Sequence, residues 1–153
     1  LTDTKGAGIM NKLFDGYQSW FGNIPQRING AIVSDRDGVV TTYASHAMVD
    51  RGELFVSVGE KVYNGMVIGE RNKSGDLSVN ITREKKLTNM RSSGSDATVT
   101  LRPPKILSLD QALEFIAEDE LVEVTPKSVR LRKMELNEQK RLAIAKKIKF
   151  QTK

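Results

Sequence analysis

Turn-forming residues recur at short intervals through residues 31–82, and this spacing restricts that part of the chain to short strands. The turn clusters fall at residues 35–38, 59–61, 63–65 and 72–76, where Gly, Asn and Asp recur. Between them lie β-branched and aromatic residues, in runs too short for helices. Because no helix-length pattern separates these runs, we expect antiparallel strand pairs and no βαβ crossovers.

Apolar alternation and turn placement predict individual strands along the chain. Residues 31–33 and 39–44 flank the first turn and are predicted to form a hairpin. Residues 121–125 and 129–133 flank a Pro-Lys-Ser turn and predict a second hairpin. A helical turn is expected at residues 47–53, and further strands at residues 54–58, 66–70, 77–82 and 97–101.

One helix is marked clearly by its first residues. Ser108 can accept from the amide of Gln111, whose side chain can reach back, as in a capping box. Apolar residues then share one face, and acids at 118–120 oppose the negative end of the helix dipole, so the helix is predicted at about 108–118. The predicted fold class is α+β: a largely antiparallel β domain with this capped helix and a basic C-terminal helix or tail.

Charge is distributed unevenly along the chain, whose formal net charge is +5. Residues 126–153 carry ten bases and two acids, and a second basic cluster lies within residues 83–105. Residues 106–125, between these zones, contain six acids and no base. Clustered cations favour a polyanionic partner because each neutralised phosphate releases counterions, although a solvated surface has the same composition.

The residues that most enzyme sites need are scarce. There is no cysteine, which excludes disulfides and thiol nucleophiles, and His46 is the single histidine. No P-loop pattern or complete metal-ligand spacing occurs, and the carboxylate pairs within residues 114–123 have no evident base or nucleophile beside them. We therefore expect no enzyme activity, metal site, cofactor or small-molecule substrate in this chain. No apolar run approaches the about 20 residues of a membrane span.

Residues 83–96 combine cations with small hydrogen-bonding side chains in a stretch without helical or strand periodicity. Lys and Arg would neutralise phosphates, Ser, Thr and Asn would bond to them, and Gly94 would let the backbone approach closely. The stretch has no aromatic residue, so we expect contacts to a sugar–phosphate backbone or strand end and no base stacking on a ring. A mobile surface connection would have the same composition, and the residues alone leave both interpretations open.

A second basic feature lies in the predicted strand at residues 129–133. Alternation places Arg130 and Arg132 on one face, opposite the apolar residues, with Lys133 at the strand end. These three cations are candidates for phosphate contacts, and a solvated sheet face is the alternative.

Several strings in the sequence resemble one known family. Residues 86–96 (KLTNMRSSGSD) resemble the signature loop of the BipA/TypA family of bacterial translational GTPases. Residues 51–56 (RGELFV), 62–70, 107–116 (LSLDQALEFI) and 118–133 are similar to the same family in the same order. The resemblance covers nearly the whole chain.

The resemblance implies a domain organisation that the residue pattern alone does not show. The family is related to elongation factor G, with GTPase and β-barrel domains ahead of two ferredoxin-like domains and a family-specific C-terminal domain. Residues 1–29 would be the trailing end of the preceding ferredoxin-like domain, residues 30–133 the C-terminal domain, and residues 134–153 a basic helix or tail. GTP and Mg²⁺ would be bound by other domains of the parent, with no cofactor in this chain.

The resemblance also implies a role on the ribosome. In the family the C-terminal domain enters the ribosomal A site, where its loop contacts the acceptor end of tRNA and large-subunit rRNA. The parent is implicated in stress and cold adaptation and in large-subunit assembly, which implies a cytoplasmic, ribosome-associated, RNA-binding domain. The loop residues implied as RNA contacts are Lys85, Lys86, Thr88, Asn89, Arg91, Ser92, Ser93 and Ser95.

A protein-interaction module is the alternative function. The acidic segment at residues 106–125 and apolar residues such as Trp20 and Phe21 would then bind a partner protein or the parent's other domains. RNA binding through phosphates weakens steeply with salt, whereas binding that ignores salt and survives nuclease would favour a protein partner.

Overall fold

The structure, a computed structural model, describes residues 7–20, 27–85 and 101–151. Within these ranges residues 7–20 form no helix or strand, and the regular elements begin at Ala31. In chain order the elements are β1 (Ala31–Ser34), β2 (Gly38–Val39), α1 (Thr42–Met48), β3 (Gly52–Leu54), β4 (Lys61–Val62), β5 (Met66–Arg71), β6 (Leu77–Val79), α2 (Leu109–Phe115), β7 (Glu120–Val124), β8 (Val129–Lys133) and α3 (Glu138–Gln151).

Strand β5 is the middle strand of the main sheet, whose order is β6-β1-β5-β8-β7, with β3 also paired to β5. β1 pairs antiparallel along one edge, with Val33 opposite Val67. The other edge is shared, since β8 pairs with the start of β5 and β3 with its end. β7 extends the sheet beyond β8, and β6 lies beside β1 in the one parallel pair among the described strands. The predicted α+β class with a largely antiparallel sheet is confirmed.

The first predicted hairpin, between residues 31–33 and 39–44, is wrong. β1 pairs with β5 and β6, both distant in sequence, while β2 pairs with β4 in a separate two-stranded sheet. Part of the predicted second strand forms helix α1, because Thr41 caps it: its Oγ1 accepts from the amide of Ala44 at 3.2 Å. A local turn signal identifies a turn but does not determine which strands pair.

The remaining predictions are partly confirmed. The second hairpin is confirmed as β7 and β8, and the strands expected near β5 and β6 are present. The strand predicted at residues 54–58 is wrong, because β3 is Gly52–Leu54 and residues 55–58 form no strand. The helical turn predicted at residues 47–53 overlaps α1 only at residues 47–48. The basic C-terminal helix is present as α3. The predicted loop from residue 86 onward, and all of the strand predicted at residues 97–101 except Leu101, lie outside the described residues.

Helix α2 begins as predicted and ends earlier. Ser108 Oγ accepts from the amide of Gln111 at 3.2 Å, and Gln111 Oε1 accepts from the amide of Ser108 at 3.0 Å, which completes the capping box. The helix ends at Phe115, before the predicted end near residue 118. Ile116 has an extended backbone there, and its side chain packs against the core.

The main sheet separates two hydrophobic clusters. On one side, called the α1 face, helix α1 covers a cluster that includes Ile32, Met66 and Ile68. On the other side, called the α2 face, helix α2 covers a cluster that includes Val67 and Leu131. Burying a side chain of this size contributes roughly 1.5–3 kcal/mol, so packing on the sheet holds both short helices in place.

Residues 7–20 are not covered by the domain. The side chains of Ile9, Leu13 and Tyr17 are 92, 93 and 97% exposed, and Trp20 is also largely exposed. Phe14 and Tyr17 contact each other edge to face, with ring centroids 5.4 Å apart. An apolar segment of this kind is available to another protein surface.

Candidate nucleic-acid interface

The loop that the sequence predicts as an RNA contact begins and ends beside elements of the sheet and α1. Thr41 Oγ1 donates to the carbonyl oxygen of Arg83 at 2.5 Å, which fixes the outgoing end next to α1. On the returning side, nine residues after the predicted loop, the amide of Lys105 donates to the carbonyl oxygen of Leu54 in β3 at 2.8 Å; Lys105 is called here the returning end. The chain is therefore attached to the packed part of the domain on both sides of the loop.

Exposed cations surround these two attachment points. Lys85 and Arg102 are exposed and have no acidic partner within the described residues. Lys105 Nζ lies 3.9 Å from a carboxylate oxygen of Glu53, both of them on the surface. Of the predicted loop contacts, Lys85 is described, and those outside the described residues are Lys86, Thr88, Asn89, Arg91, Ser92, Ser93 and Ser95.

Arg130 and Arg132 lie on the α1 face, on the side of β8 that alternation predicts. Arg132 is opposite Met66, which belongs to the cluster under α1. Arg132 Nε is 2.9 Å from Glu123, whose other oxygen accepts from the hydroxyl of Tyr63 at 2.7 Å. Burial and this hydrogen bond raise the pKa of Tyr63. Arg130 lies opposite Glu123 in the β7–β8 pair but forms no ion pair within the described residues, and its Nε is buried without a hydrogen-bond partner there.

Arg130 lies close to the returning end of the loop. Together with Ser57, Ile106 and Lys127 it lines a groove of about 210 Å³. Ile106 directly follows Lys105, whose amide is attached to β3. The cation of β8 and one end of the loop therefore share a stretch of surface.

Lys133 lies on the α2 face, where RNA cannot reach its charge. Its side chain is 1% exposed, and Nζ is 2.8 Å from both Asp119 and Glu120 and is also paired with Asp76. Strand alternation gives the reason, because Lys133 is two residues from the buried Leu131 and so shares its face. The structure therefore removes Lys133 from the candidate RNA contacts and makes it a buried structural cation.

Arg27 joins the same cluster, although nothing in the sequence pattern marks it. Its two terminal nitrogens each donate to Glu120 at 2.8 Å, in a bidentate arrangement. Nη1 also donates to the carbonyl oxygen of Phe115 at 3.2 Å, and Cζ lies 4.4 Å from the centroid of that ring. The residues called here the ion-pair cluster are Arg27, Asp76, Asp119, Glu120 and Lys133.

Opposing effects set the pKa values within the ion-pair cluster. Burial alone would raise the pKa of Glu120, but hydrogen bonds from Arg27 and Lys133 outweigh it and hold that pKa below its ordinary value. The pKa of Asp76 is lowered by the same balance, with Lys133 and the amide of Ala31 as donors. Burial alone would lower the pKa of Lys133, but hydrogen bonds to its carboxylate partners raise it.

These shifts predict a loss of stability in acid. Asp76 and Glu120 bind protons more weakly in the folded state than in the unfolded state, so their contribution is complete above pH about 5 and is lost as the pH falls through their lowered folded-state pKa values. Urea unfolding at a series of acidic pH values should show the free energy of unfolding falling with pH. Asp76→Asn should make this dependence on pH shallower, and its amide oxygen can still accept from the amide of Ala31. Asp15→Asn, at an exposed position, is the control, and equal slopes in the Asp76 variant and the wild type would contradict the prediction.

Helix α3 is anchored near its start by Arg141, and residues 142–147 are exposed. Arg141 donates from Nη1 to the carbonyl oxygens of Glu135 and Leu136 at 3.0 and 2.6 Å, and its Nη2 lies 3.4 Å from Ser78 Oγ in β6. Three exposed bases of the helix have no acidic partner within the described residues: Lys140, Lys146 and Lys147. They add a further positive surface to the domain.

The described residues do not assemble a group of metal ligands. His46 is exposed on α1. Across residues 7–20, 27–85 and 101–151, no three His, Asp or Glu side chains are grouped so as to hold a metal ion. Among the helices of these ranges, none combines the length and the apolar character that crossing a membrane requires.

Comparison with known proteins identifies relatives over nearly the whole chain. The model of the TypA/BipA C-terminal domain matches residues 29–138. The large ribosomal subunit assembly factor BipA of Bacillus subtilis is 45% identical over 150 residues, which cover 97% of this chain and 24% of that protein. The proteins of the same name from Synechocystis and Salmonella typhimurium are both 47% identical, over 131 and 142 residues, covering 86 and 92% of this chain and 22 and 23% of those proteins.

The matched region contains all of the described strands. It runs from just before β1 to the first residue of α3, and so includes α1, α2 and the elements from which the loop emerges. The chain spans about a quarter of the length of the curated relatives that it matches. The resemblance carried by the loop and strand strings is confirmed, and the chain belongs to the TypA/BipA C-terminal domain family.

Proposed function

We propose that this domain attaches its parent protein to the ribosome by binding RNA, and that its loop contacts the tRNA acceptor end and large-subunit rRNA in the A site. The observation that carries the proposal is the attachment of both loop ends to the packed domain, among exposed cations. The relatives are named large ribosomal subunit assembly factors, which makes the large subunit the first partner to test.

The domain would act by position and charge, without bond chemistry. Lys85, Arg102 and Arg130 have no acidic partner in the described part of the chain, so contact with a phosphate would break no ion pair there. Arg132 would have to give up part of its contact with Glu123. The remaining proposed contacts are the loop residues Lys86, Thr88, Asn89, Arg91, Ser92, Ser93 and Ser95.

The parent protein would be a translational GTPase that binds GTP and Mg²⁺ outside this chain. Residues 1–29 would complete the ferredoxin-like domain that precedes this one, and that domain would cover the apolar side chains exposed here at Ile9, Leu13 and Tyr17. Residues 30–133 would form the family-specific domain, with residues 134–153 as a basic extension. The parent would then work in the cytoplasm, in large-subunit assembly and in adaptation to stress and cold.

Charge reversal of Lys85, Lys86 and Arg91 to glutamate is expected to weaken binding to purified large subunits by at least about tenfold at low salt. Each lost phosphate contact should reduce the slope of log K against log salt by about 0.7–0.9, so the slope should become shallower by about two to three. Co-sedimentation of the 153-residue chain with large subunits across a salt series measures both quantities.

The matched control reverses Lys12, Lys61 and Lys73, three exposed lysines that lie outside residues 83–96. It makes the same change in net charge, so its binding should weaken only through the overall field of the protein. If both triple variants lose the same binding affinity, binding depends on the net charge of the chain and not on the loop. Wild-type binding by the loop variant would refute the assignment of the loop.

A protein-interaction module is the second candidate function, and one observation favours it. The apolar side chains of residues 7–20 are exposed and could pack on a partner protein. The acidic segment is less available, because Asp119 and Glu120 are already paired with Lys133. Binding to ribosomes or lysate proteins that is insensitive to salt and survives nuclease treatment would support this candidate against RNA binding.

A further inference from the structure

A small cleft lies beside the outgoing end of the loop, between α1 and the end of β6. Its volume is about 290 Å³, and its lining includes Tyr43, Arg51, Asn80 and Arg83. No acidic side chain occurs among its described lining residues. Because ligand pockets for small molecules begin at about this size, the cleft suits one nucleotide and is too small for a duplex.

Tyr43 gives the cleft an aromatic wall. Its side chain lies on α1 and is 43% exposed, and its hydroxyl has no hydrogen-bond partner within the described residues. The guanidinium carbon of Arg83 lies 5.8 Å from the ring centroid, within the range of a cation–π contact. Aromatic rings and guanidinium planes are the surfaces on which unpaired RNA bases stack.

Arg51 and Asn80 supply polar groups around this wall. The backbone of Arg51 is fixed on both sides, since its amide donates to Met48 and its carbonyl accepts from Asn72, both at 2.9 Å. The guanidinium of Arg51 has no acidic partner in the described ranges. Asn80 Oδ1 accepts from the amide and hydroxyl of Thr82 at 3.1 and 3.0 Å, which leaves its NH₂ group as a donor for a ligand.

We propose that this cleft binds one unpaired nucleotide of RNA, with its base against Tyr43 and Arg83 and its phosphate on Arg51. The proposal rests on the RNA-binding function proposed above and extends it from phosphate contacts to base stacking. The loop itself contains no aromatic residue, so the stacking surface is supplied by α1. Because Thr41 holds the carbonyl of Arg83, the cleft and the loop end keep a fixed spacing, and one strand can contact both.

Fluorescence anisotropy with a labelled single-stranded RNA of mixed sequence tests the cleft directly. Tyr43→Leu removes the ring but keeps apolar bulk, and should weaken binding about 5- to 100-fold without changing the salt slope. Arg51→Gln should weaken binding and reduce the salt slope by about 0.7. Binding of the same sequence as a duplex should not depend on Tyr43, because paired bases are not free to stack on it.

Tyr17→Leu is the matched control, because Tyr17 is a 97% exposed tyrosine outside the cleft. It should bind the single-stranded RNA as tightly as the wild type. Thermal unfolding of each variant separates lost binding from lost folding. Arg51 is exposed, so Arg51→Gln provides a test that leaves the core intact.

The outcomes separate this proposal from the proposed function. If Tyr43→Leu and Arg51→Gln both bind RNA like the wild type while the loop variant no longer binds large subunits, the cleft is refuted and the function stands. If the unmodified chain binds neither RNA nor large subunits, both are refuted. Tyr43-dependent binding of a phosphopeptide, with RNA binding unaffected by Tyr43→Leu, would also overturn the assignment of an RNA nucleotide to the cleft.

Discussion

Replacing Lys133 with methionine is expected to lower the free energy of unfolding by about 3 kcal/mol. Methionine has nearly the same length and volume, so the substitution removes the charge and keeps most of the packing. It leaves Glu120, which is fully inaccessible, with Arg27 as its remaining partner, and it leaves Asp76 and Asp119 without this cation. Breaking a buried pair costs more than breaking an exposed one, because water cannot solvate the charge that stays behind.

Urea unfolding at neutral pH measures this loss, with Lys127→Met as the matched control. Lys127 is exposed in the turn between β7 and β8 and has no acidic partner within the described residues, so its variant should be within about 0.5 kcal/mol of the wild type. If Lys133→Met lowers the free energy of unfolding by less than about 1 kcal/mol, the ion-pair cluster stabilises the fold no more than an exposed salt bridge does, and the prediction is wrong.

Replacing Gly52 with alanine is expected to cost about 3 kcal/mol, because β3 and β5 approach too closely there for a side chain. A Cβ at Gly52 would fall on the carbonyl oxygen of Glu70 and would lie 2.8 Å from the Cδ1 atom of Ile32. Two residue pairs along, a Cβ at Gly69 would fall on the carbonyl oxygen of Glu53. Since these obstacles include backbone atoms of the paired strands, the sheet itself would have to shift.

Gly59→Ala is the control, because it measures the cost of an unfavourable backbone conformation without steric crowding. Gly59 has a φ of +87°, and a Cβ there would meet nothing within 4 Å, so its substitution should cost only the left-handed strain of about 1–2 kcal/mol. Chemical denaturation of both variants ranks the two effects. If Gly52→Ala costs no more than Gly59→Ala, close approach of β3 and β5 does not limit position 52.

The parts of the fold that the sequence predicts correctly depend on neighbouring residues. The capping box of α2 needs only Ser108 and Gln111, and the hairpin of β7 and β8 needs one turn between two alternating runs. The position of β1 depends on residues that are distant in sequence, since Ile32 lies between Gly69 of β5 and Leu77 of β6. No turn signal near β1 contains that information, and the predicted hairpin fails for this reason.

The candidate site shows the same division. Alternation correctly places Arg130 and Arg132 on one face, and the same rule applied to Lys133 puts it with Leu131 on the other. The charge of Lys133 alone predicts a surface position. Its burial depends on the carboxylates of Asp76, Asp119 and Glu120, which come from separate segments of the chain. Tyr43 carries no sequence signal as a stacking surface, because only the folded chain brings Arg83 over its ring.

The position of Lys133 at the last residue of β8 also affects the order in which the domain can form during its own synthesis. Asp76 and Glu120 emerge from the translating ribosome before Lys133 does, and until then they lack the ammonium group that neutralises them in the native state. Part of the edge of β5 is also unpaired until β8 arrives. The nascent chain would therefore hold the earlier strands in an incomplete sheet, and the domain would become compact only after β8 has been synthesised.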